Sequence, residues 1–460
     1  MPYSGEATPS ILLETPEAHK SLDSLRQLMK PYEAKAQISE QYKTDLAKWL
    51  KTLKIEDKKA LQTPVKRVVY LNFEKEDTTL MWDNINPPSK KELEKRAKQL
   101  EESKKDSTKK IKPAERIPGF WNIETADTLL KATAYSGDKD KRPLSTAGKK
   151  GNGIHFHGDA GLQLGHDLDY ERYQPFSVSL WFKLLKEGEE GPIFNKSNSD
   201  FEGYRGWLCK LNKDGTLSFQ FNHVWPDNAI DFQTTDKIKV GEWTHIALTY
   251  DGSSKASGVH FWLNGVTPTY KLWTDNLQKS LLHARKNNNW SIQPFMMGIE
   301  MRQSIQNVDM DELQIFKRQL SEIEVRELYE NQPLIANLID KKNRSALEEK
   351  QLLEVFLLRG YHRGFNESLD SLAALRKQEN DIATDQEEVM TMHDRTEYRR
   401  TFVLNRGAYD APSKEEVFPR TPSKFPSFEG FPKNRLGLAQ WLLTEQNPLF
   451  ARVAVNCIGN

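Results

Sequence analysis

Cysteine is nearly absent: two of 460 residues, Cys209 and Cys457, lie far apart and in no C-x-x-C, C-x-x-C-H or ligand-spaced cluster. That spacing excludes a zinc ribbon, a haem motif in this chain and a disulfide scaffold. An excess of one charge is also missing. Lys+Arg number 66 and Asp+Glu 65, for a net charge of +1, so no global field draws the chain to nucleic acid or an anionic membrane. No apolar run approaches the roughly 20 residues that span a bilayer. The opening "MPYSGEATPSILLETPEAHK" lacks the basic-then-apolar pattern of an export signal. Nor does any strand carry the alternate acids, E-x-D-x-x-E or E-x-D-x-E, with which a jelly-roll glycosidase flanks its bond; the nearest run is "VDMDELQIF", residues 308–316.

What is present is organisation. The length exceeds what one core usually reaches, so two or more domains are expected. Leu22, Leu25, Met29 and Tyr32 keep helical spacing until Pro31 disturbs it, and Leu46, Trp49, Leu50 and Leu53 resume it, which predicts a helical hairpin over residues 16–55. "RVVYLNFE" (67–74) is a short β-rich run. In residues 90–112 acids and bases alternate at helical pair spacing (Glu92 with Arg96, Glu94 with Lys98, Glu101 with Lys105), as in a solvated helix looping out from its domain.

From about residue 151 to 317 the period is two. Phe176, Val178, Leu180 and Phe182 share one face and Ser177, Ser179, Trp181 and Lys183 the other. Leu217, Phe219 and Phe221 oppose Ser218, Gln220 and Asn222; Val259, Phe261 and Leu263 oppose His260, Trp262 and Asn264. Asp214-Gly215, Asp251-Gly252 and Asn264-Gly265 tolerate the positive φ of tight reversals. Many antiparallel strands without intervening helices predict a mainly β protein with flanking α segments, its centre a two-sheet sandwich. Beyond it Ser321 and Glu324 fit a capping box. Leu372, Leu375 and Ile382 belong to helices expected to pack on residues 16–55.

The ordered segments "GNGIHFHGDAGLQLG", "PFSVSLWFKL", "GPIFNKS", "GTLSFQFN", "VGEWTHIALTYDG", "VHFWLNG" and "VDMDELQIFKRQLSEIEVRELY" resemble the concanavalin A-like jelly roll of the laminin-G type over residues 66–330. The flanks, with "SEQYKTDLAKWL", "HDRTEYRRTFVLNRGAYDAPSKEEVFPRTPSKFP" and "NRLGLAQWLLTEQNPLFARVAVN", resemble a planctomycete-type, cytochrome-associated family of unknown function. Together they imply a helical segment (1–65), the sandwich (66–330), a helical connector (331–392) and the start of a further domain (393–460). The family's usual export signal and C-x-x-C-H segment do not occur. With Phe450, Val453, Ala454 and Cys457 on one unpartnered helical face, the chain reads as an internal fragment of a protein that the resemblance would place in the periplasm or at the cell surface.

Candidate site residues follow. Aromatic rings near loops grip sugars while polar neighbours bond the hydroxyls; Tyr204, Trp207, Asn222, Trp225 and Asp227, with His223, form such a carbohydrate-binding set. Strand alternation places Asp309 and Asp311 on the core face with Leu313 and Ile315, where a carboxylate needs a partner. Sandwiches of the resembled type often hold a structural calcium, which here would use Asp311, Glu74 and a backbone oxygen near Gly158; the competing reading has Asp311 accept backbone N–H bonds. His155 and His157 read as a solvent-side pair and His166 completes no metal spacing. "GNGIHFHGDAGLQLG" lacks the closing Gly-Lys-Ser/Thr of a phosphate loop. The expected function is non-catalytic recognition of a glycan or a protein surface. The alternatives are a part of a polysaccharide-degrading or redox enzyme with its catalytic domains elsewhere, and a spacer.

Overall fold

The computed structural model describes residues 10–54, 56–57, 61, 65–74, 120–122, 131–136, 142–164, 168–198, 203–282, 294–300, 303–391, 400–447 and 449–458. In chain order the elements are β1 (Ser10–Leu13), α1 (Pro16–Lys35), α2 (Lys43–Thr52), β2 (Arg67–Leu71), β3 (Phe120–Asn122), β4 (Lys131–Ser136), β5 (Leu144–Ala147), β6 (Asn152–His157), β7 (Ala160–Gln163), β8 (Phe176–Leu184), β9 (Gly191–Ser197), β10 (Gly206–Leu211) and β11 (Leu217–Val224). There follow β12 (Asn228–Thr234), β13 (Trp243–Tyr250), β14 (Val259–Leu263), β15 (Tyr270–Asp275), β16 (Met296–Met297), β17 (Ile299–Glu300), β18 (Gln303–Ser304) and β19 (Gln306–Phe316). The last are α3 (Glu322–Glu330), α4 (Leu334–Asp340), α5 (Ala346–Leu358), α6 (Arg363–Thr384), β20 (Glu387–Met390), β21 (Thr401–Leu404), β22 (Pro412–Val417), α7 (Arg435–Leu442) and α8 (Phe450–Ile458). They form two compact units, residues 1–390 and 391–460. Among the described residues no helix is long and apolar enough to cross a membrane.

Two antiparallel sheets make a jelly-roll sandwich with helices at both ends. One has nine strands in the order β15-β12-β11-β10-β9-β16-β7-β4-β3; the other runs β14-β13-β8-β19-β6-β5, with β2 also on β19. The inward residues are those the alternation selects: Phe176, Val178, Leu180 and Phe182 from β8, Leu217, Phe219 and Phe221 from β11, and Val259 and Phe261 from β14, all in one core cluster. The strands "WTHIALTY" and "VHFWL" are neighbours, Ile246 opposite Leu263. Asn264 (φ 52°) and Gly265 (φ 74°) make a tight reversal, but the chain then crosses to the far edge of the other sheet as β15 instead of closing a hairpin.

Three expectations are corrected. First, Asp309 and Asp311 do not face the core. Glu312 takes φ 52°, and the register of β19 against β8 jumps between Asp311 and Gln314. A bulge inserts a residue and reverses the parity of the strand. Val308 and Met310 therefore point inward before it and Leu313 and Ile315 after it, which leaves both aspartates on the outer face. Second, α1 continues through Pro31 to Lys35. Proline near a helix's end removes one N–H bond without stopping the last turn. Third, the segment near Gly158 is remote from Glu74 and Asp311, as shown below. Residues 90–112 and His166 lie outside the described residues.

Helices from both sides of the sandwich share one core. Tyr42 and Leu46 cluster with Ile335, Leu352, Val355, Phe356 and Phe365, Trp49 stacks on Tyr361 at 4.9 Å between centroids, and α1 lies along α6. The expected capping box is present at Ser321, and its Glu324 does more than cap. Arg318 Nη2 and Arg359 Nε each donate to Glu324 Oε1 at 2.6 Å. Burial opposes the carboxylate's charge, but these two guanidinium groups outweigh it and hold the carboxyl at about 2.

Candidate functional site

The outer face of the nine-stranded sheet carries the chemistry. Asn195, Leu208, Gln220, Asp231 and Thr274 are successive cross-strand partners from β9 to β15. Because Phe219, Phe221, Ile230 and Phe232 beside them point into the core, this row points out. Gln220 Nε2 donates to Asp231 Oδ2 at 3.3 Å and Trp225 Nε1 donates to the same oxygen at 2.8 Å. Burial pushes the Asp231 carboxyl above the ordinary carboxylate value, against the pull of those two donors.

A second tryptophan stands alongside. Trp273 Nε1 donates to Gln233 Oε1 at 3.2 Å, and the Lys271 ammonium sits 3.3 Å from the Trp273 ring centre. Asp231 and Gln233 are two residues apart on one strand, so the two indole N–H groups are anchored roughly 6–7 Å apart. Trp225 remains 40 % and Trp273 55 % exposed. With their N–H groups already used, what the rings offer is flat apolar surface. Tyr204 stands edge-on to Trp225 at 6.2 Å. Beneath, Asn222 Nδ2 donates to the Tyr204 carbonyl at 3.2 Å, while Asn195 Oδ1 and Asn222 Oδ1 are buried and have no hydrogen-bond partner among the described residues.

The sugar set expected from sequence is thus divided. Tyr204, Asn222 and Trp225 come together here. Trp207 does not: it is fully buried, its ring 4.6 Å from that of Phe176. Asp227 is spent on the chain's start, its Oδ2 accepting Ser10 N at 2.8 Å. His223 is buried, its ring nitrogen 2.7 Å from the Ser280 carbonyl. Sequence reasoning missed Asp231, Gln233 and Trp273 and did not use Gln220. In "NAIDFQT" the alternation of Ile230 and Phe232 with Asp231 and Gln233 was the available signal; Trp273 had none, because its strand is exposed almost throughout.

Glu74 and Asp311 meet the same turn. Asp311 accepts Lys150 N on Oδ2 at 2.9 Å and Glu312 N on Oδ1 at 2.7 Å, and Glu74 Oε1 accepts Asn152 N at 3.1 Å. A Cβ on Gly148 would lie 2.6 Å from Asp311 Oδ2, and one on Gly151 1.9 Å from Glu74 Oε1, so only glycine admits both carboxylates. Burial pushes Asp311 up to about 7, against those backbone donors. Gly158 lies past the opposite end of β6, six residues or roughly 20 Å from Asn152, against Gln306. Calcium takes six to eight oxygens. Among the described residues no group of three His, Cys, Asp or Glu side chains gathers, and these two carboxylates hold backbone donors; the donor set does not fit a calcium shell. His155 and His157 stack on the outer face of the seven-stranded sheet at 6.0 Å, His155 against Asp309 at 2.7 Å and His157 against the Arg142 carbonyl at 2.7 Å.

No curated protein matches the chain. Among solved structures it is similar to the binding domain of Paraclostridial Mosquitocidal Protein 1 (18 % identity, 45 % of this chain and 49 % of that one, TM-score 0.33). It is similar also to domain 4 of an extracellular arabinanase from Geobacillus stearothermophilus in complex with arabinotriose (20 %, 43 % and 87 %, 0.30) and to Trypanosoma rangeli sialidase (13 %, 46 % and 31 %, 0.32). The matches therefore span about half of the toxin chain and under a third of the sialidase. Residues 156–326 match the family model described as the concanavalin A-like lectin/glucanases superfamily, laminin-G type, which supports the sandwich half of the resemblance and not its cytochrome-associated half.

Proposed function

We propose that the sandwich is a non-catalytic recognition module that grips a glycan on the outer face of its nine-stranded sheet. One observation carries this reading: two half-exposed tryptophans are locked through their N–H groups onto Asp231 and Gln233. Rings held in this way cover the apolar face of a pyranose. Hydrolysis by paired acids needs two carboxylates across the bond, whereas the partners of Asp231 are Trp225 and Gln220. Export of a longer parent to the periplasm or cell surface, and any enzymatic work there, rests on the resemblance of the flanks alone.

The test is a glycan array probed with the full chain and with the double variant Trp225→Ala, Trp273→Ala. Binding should fall by about tenfold or more per ring, with cooperative unfolding retained. Silence of the wild type across neutral and acidic glycans would defeat the proposal and favour a protein ligand or a spacer.

A further inference from the structure

A cavity of ≈ 360 Å³ opens where α1 and α6 meet the end of the sandwich. Its charged walls are unbalanced. Arg26, Lys30, Arg172, Lys255 and Arg376 face two carboxylates, Glu33 and Glu379, a formal balance of 5 − 2 = +3.

Internal pairing leaves most of that excess in place. Arg172 is 3 % exposed and acts as a strut, donating to Asn380 Oδ1 and Ser254 Oγ, each at 2.8 Å. With Arg26 it also consumes Glu379, both at 3.4 Å. Among the described residues Arg376 reaches only the Asp251 carbonyl, at 3.5 Å. Lys30 on α1 and Lys255 on the loop between β13 and β14 are exposed and have no partner among the described residues. Three cations from three separate elements thus converge against a lone Glu33. The cavity of ≈ 310 Å³ beside α3 is the internal control: it too is lined by arginines, but there Glu324 bridges Arg318 and Arg359, Glu327 lies 3.8 Å from Arg359, and Glu312 pairs with Lys150.

Like charges brought together at a partly dehydrated surface repel, and an anion between them relieves the repulsion. Leu12, Met29 and Leu277 add apolar wall, and the volume lies at the lower end of small-molecule sites. We propose that this cavity binds a small oxyanion, a carboxylate, sulfate or phosphate, between Lys30, Lys255 and Arg376. The site is distinct from the tryptophan face and does not depend on it.

The probes are citrate, glucuronate, inorganic sulfate and inorganic phosphate, titrated calorimetrically into the full chain at constant ionic strength, with chloride and glucose as controls. At least one oxyanion should bind, with affinity falling at least tenfold in Lys255→Glu and in Lys30→Glu. Lys255→Arg should retain it, and added salt should weaken it through screening. The organic acids binding where sulfate and phosphate do not would assign the carboxylate, and the reverse the tetrahedral anions. Trp225→Ala, Trp273→Ala should bind the oxyanion unchanged, so the two sites fail separately. Binding no better than chloride for all four, or Lys→Glu variants that bind as the wild type does, would overturn the proposal.

Discussion

The two sheets obey the same alternation yet end with opposite outer faces. On the seven-stranded sheet, Trp181 and His245 point out of the core and are at once covered: Tyr329 of α3 packs 5.7 Å from Trp181 and 5.9 Å from His245, and Ala247, Trp262, Phe316, Leu320 and Val325 form a second apolar cluster. On the nine-stranded sheet the outward residues are amides and an acid that are themselves buried, and two tryptophans remain half-exposed. Period two decides which side chains leave the core. It does not decide what they meet.

The largest effect should come from opening the covered face. Glu324→Gln removes the carboxylate between two buried guanidinium groups and should cost about 3–5 kcal/mol in denaturant unfolding, as when one partner of a buried pair is lost. A loss under about 1 kcal/mol would mean that the face is not sealed. Next is His245, whose ring burial pushes down to about 3. Below its ordinary value of 6.5 the unfolded chain takes up a proton that the folded chain refuses, so stability falls as pH drops from 6.5 toward 3, with a limiting slope of about 1.4 kcal/mol per pH unit. His245→Gln should remove that component; parallel pH curves for variant and wild type would contradict it.

Asp311 should act with the opposite sign, because its burial outweighs its backbone donors. Its carboxyl is raised from 3.8 to about 7, so between those values the folded state holds a proton that the unfolded chain releases, and stability is lost as pH rises through the window. Asp311→Asn should flatten this part of the profile. Melting curves in millimolar calcium and in EDTA should superpose; a calcium-dependent gain, about 2.7 kcal/mol at a hundredfold excess over Kd, would restore the metal reading. The smallest effect is expected at the exposed tryptophans. Trp273→Ala should shift stability by about 0.5 kcal/mol or less while weakening glycan binding. A cooperative loss of fold would show that Trp273 is core.

Much of the fold was legible because it is local. Phe176 to Phe182, Leu217 to Phe221 and Val259 to Leu263 declare their faces by alternation, and Ser321 with Glu324 declares a helix start. The bulge at Glu312 was not legible, since nothing in "VDMDELQIF" marks a glutamate for positive φ; it alone moved Asp311 off the core face. The site was half legible. Trp225 and Tyr204 are neighbours of a turn and were found, whereas the capture of Asp227 by Ser10, 217 residues away, and the pairing of Trp273 with Gln233 across strands depend on contacts no local pattern encodes.

By itself the sequence determined the two-sheet sandwich, the residues of its core, the helical flanks and the lack of a cysteine scaffold or a haem motif, because periodicity, turn chemistry and composition act over a few residues. Only the tertiary structure decided which outer face α3 seals and which keeps two tryptophans exposed, where β19 changes parity, and that α1, α6 and the sandwich enclose a cationic cavity. Each of these depends on distant segments returning to one place, and there burial and pairing, not local preference, set the energy.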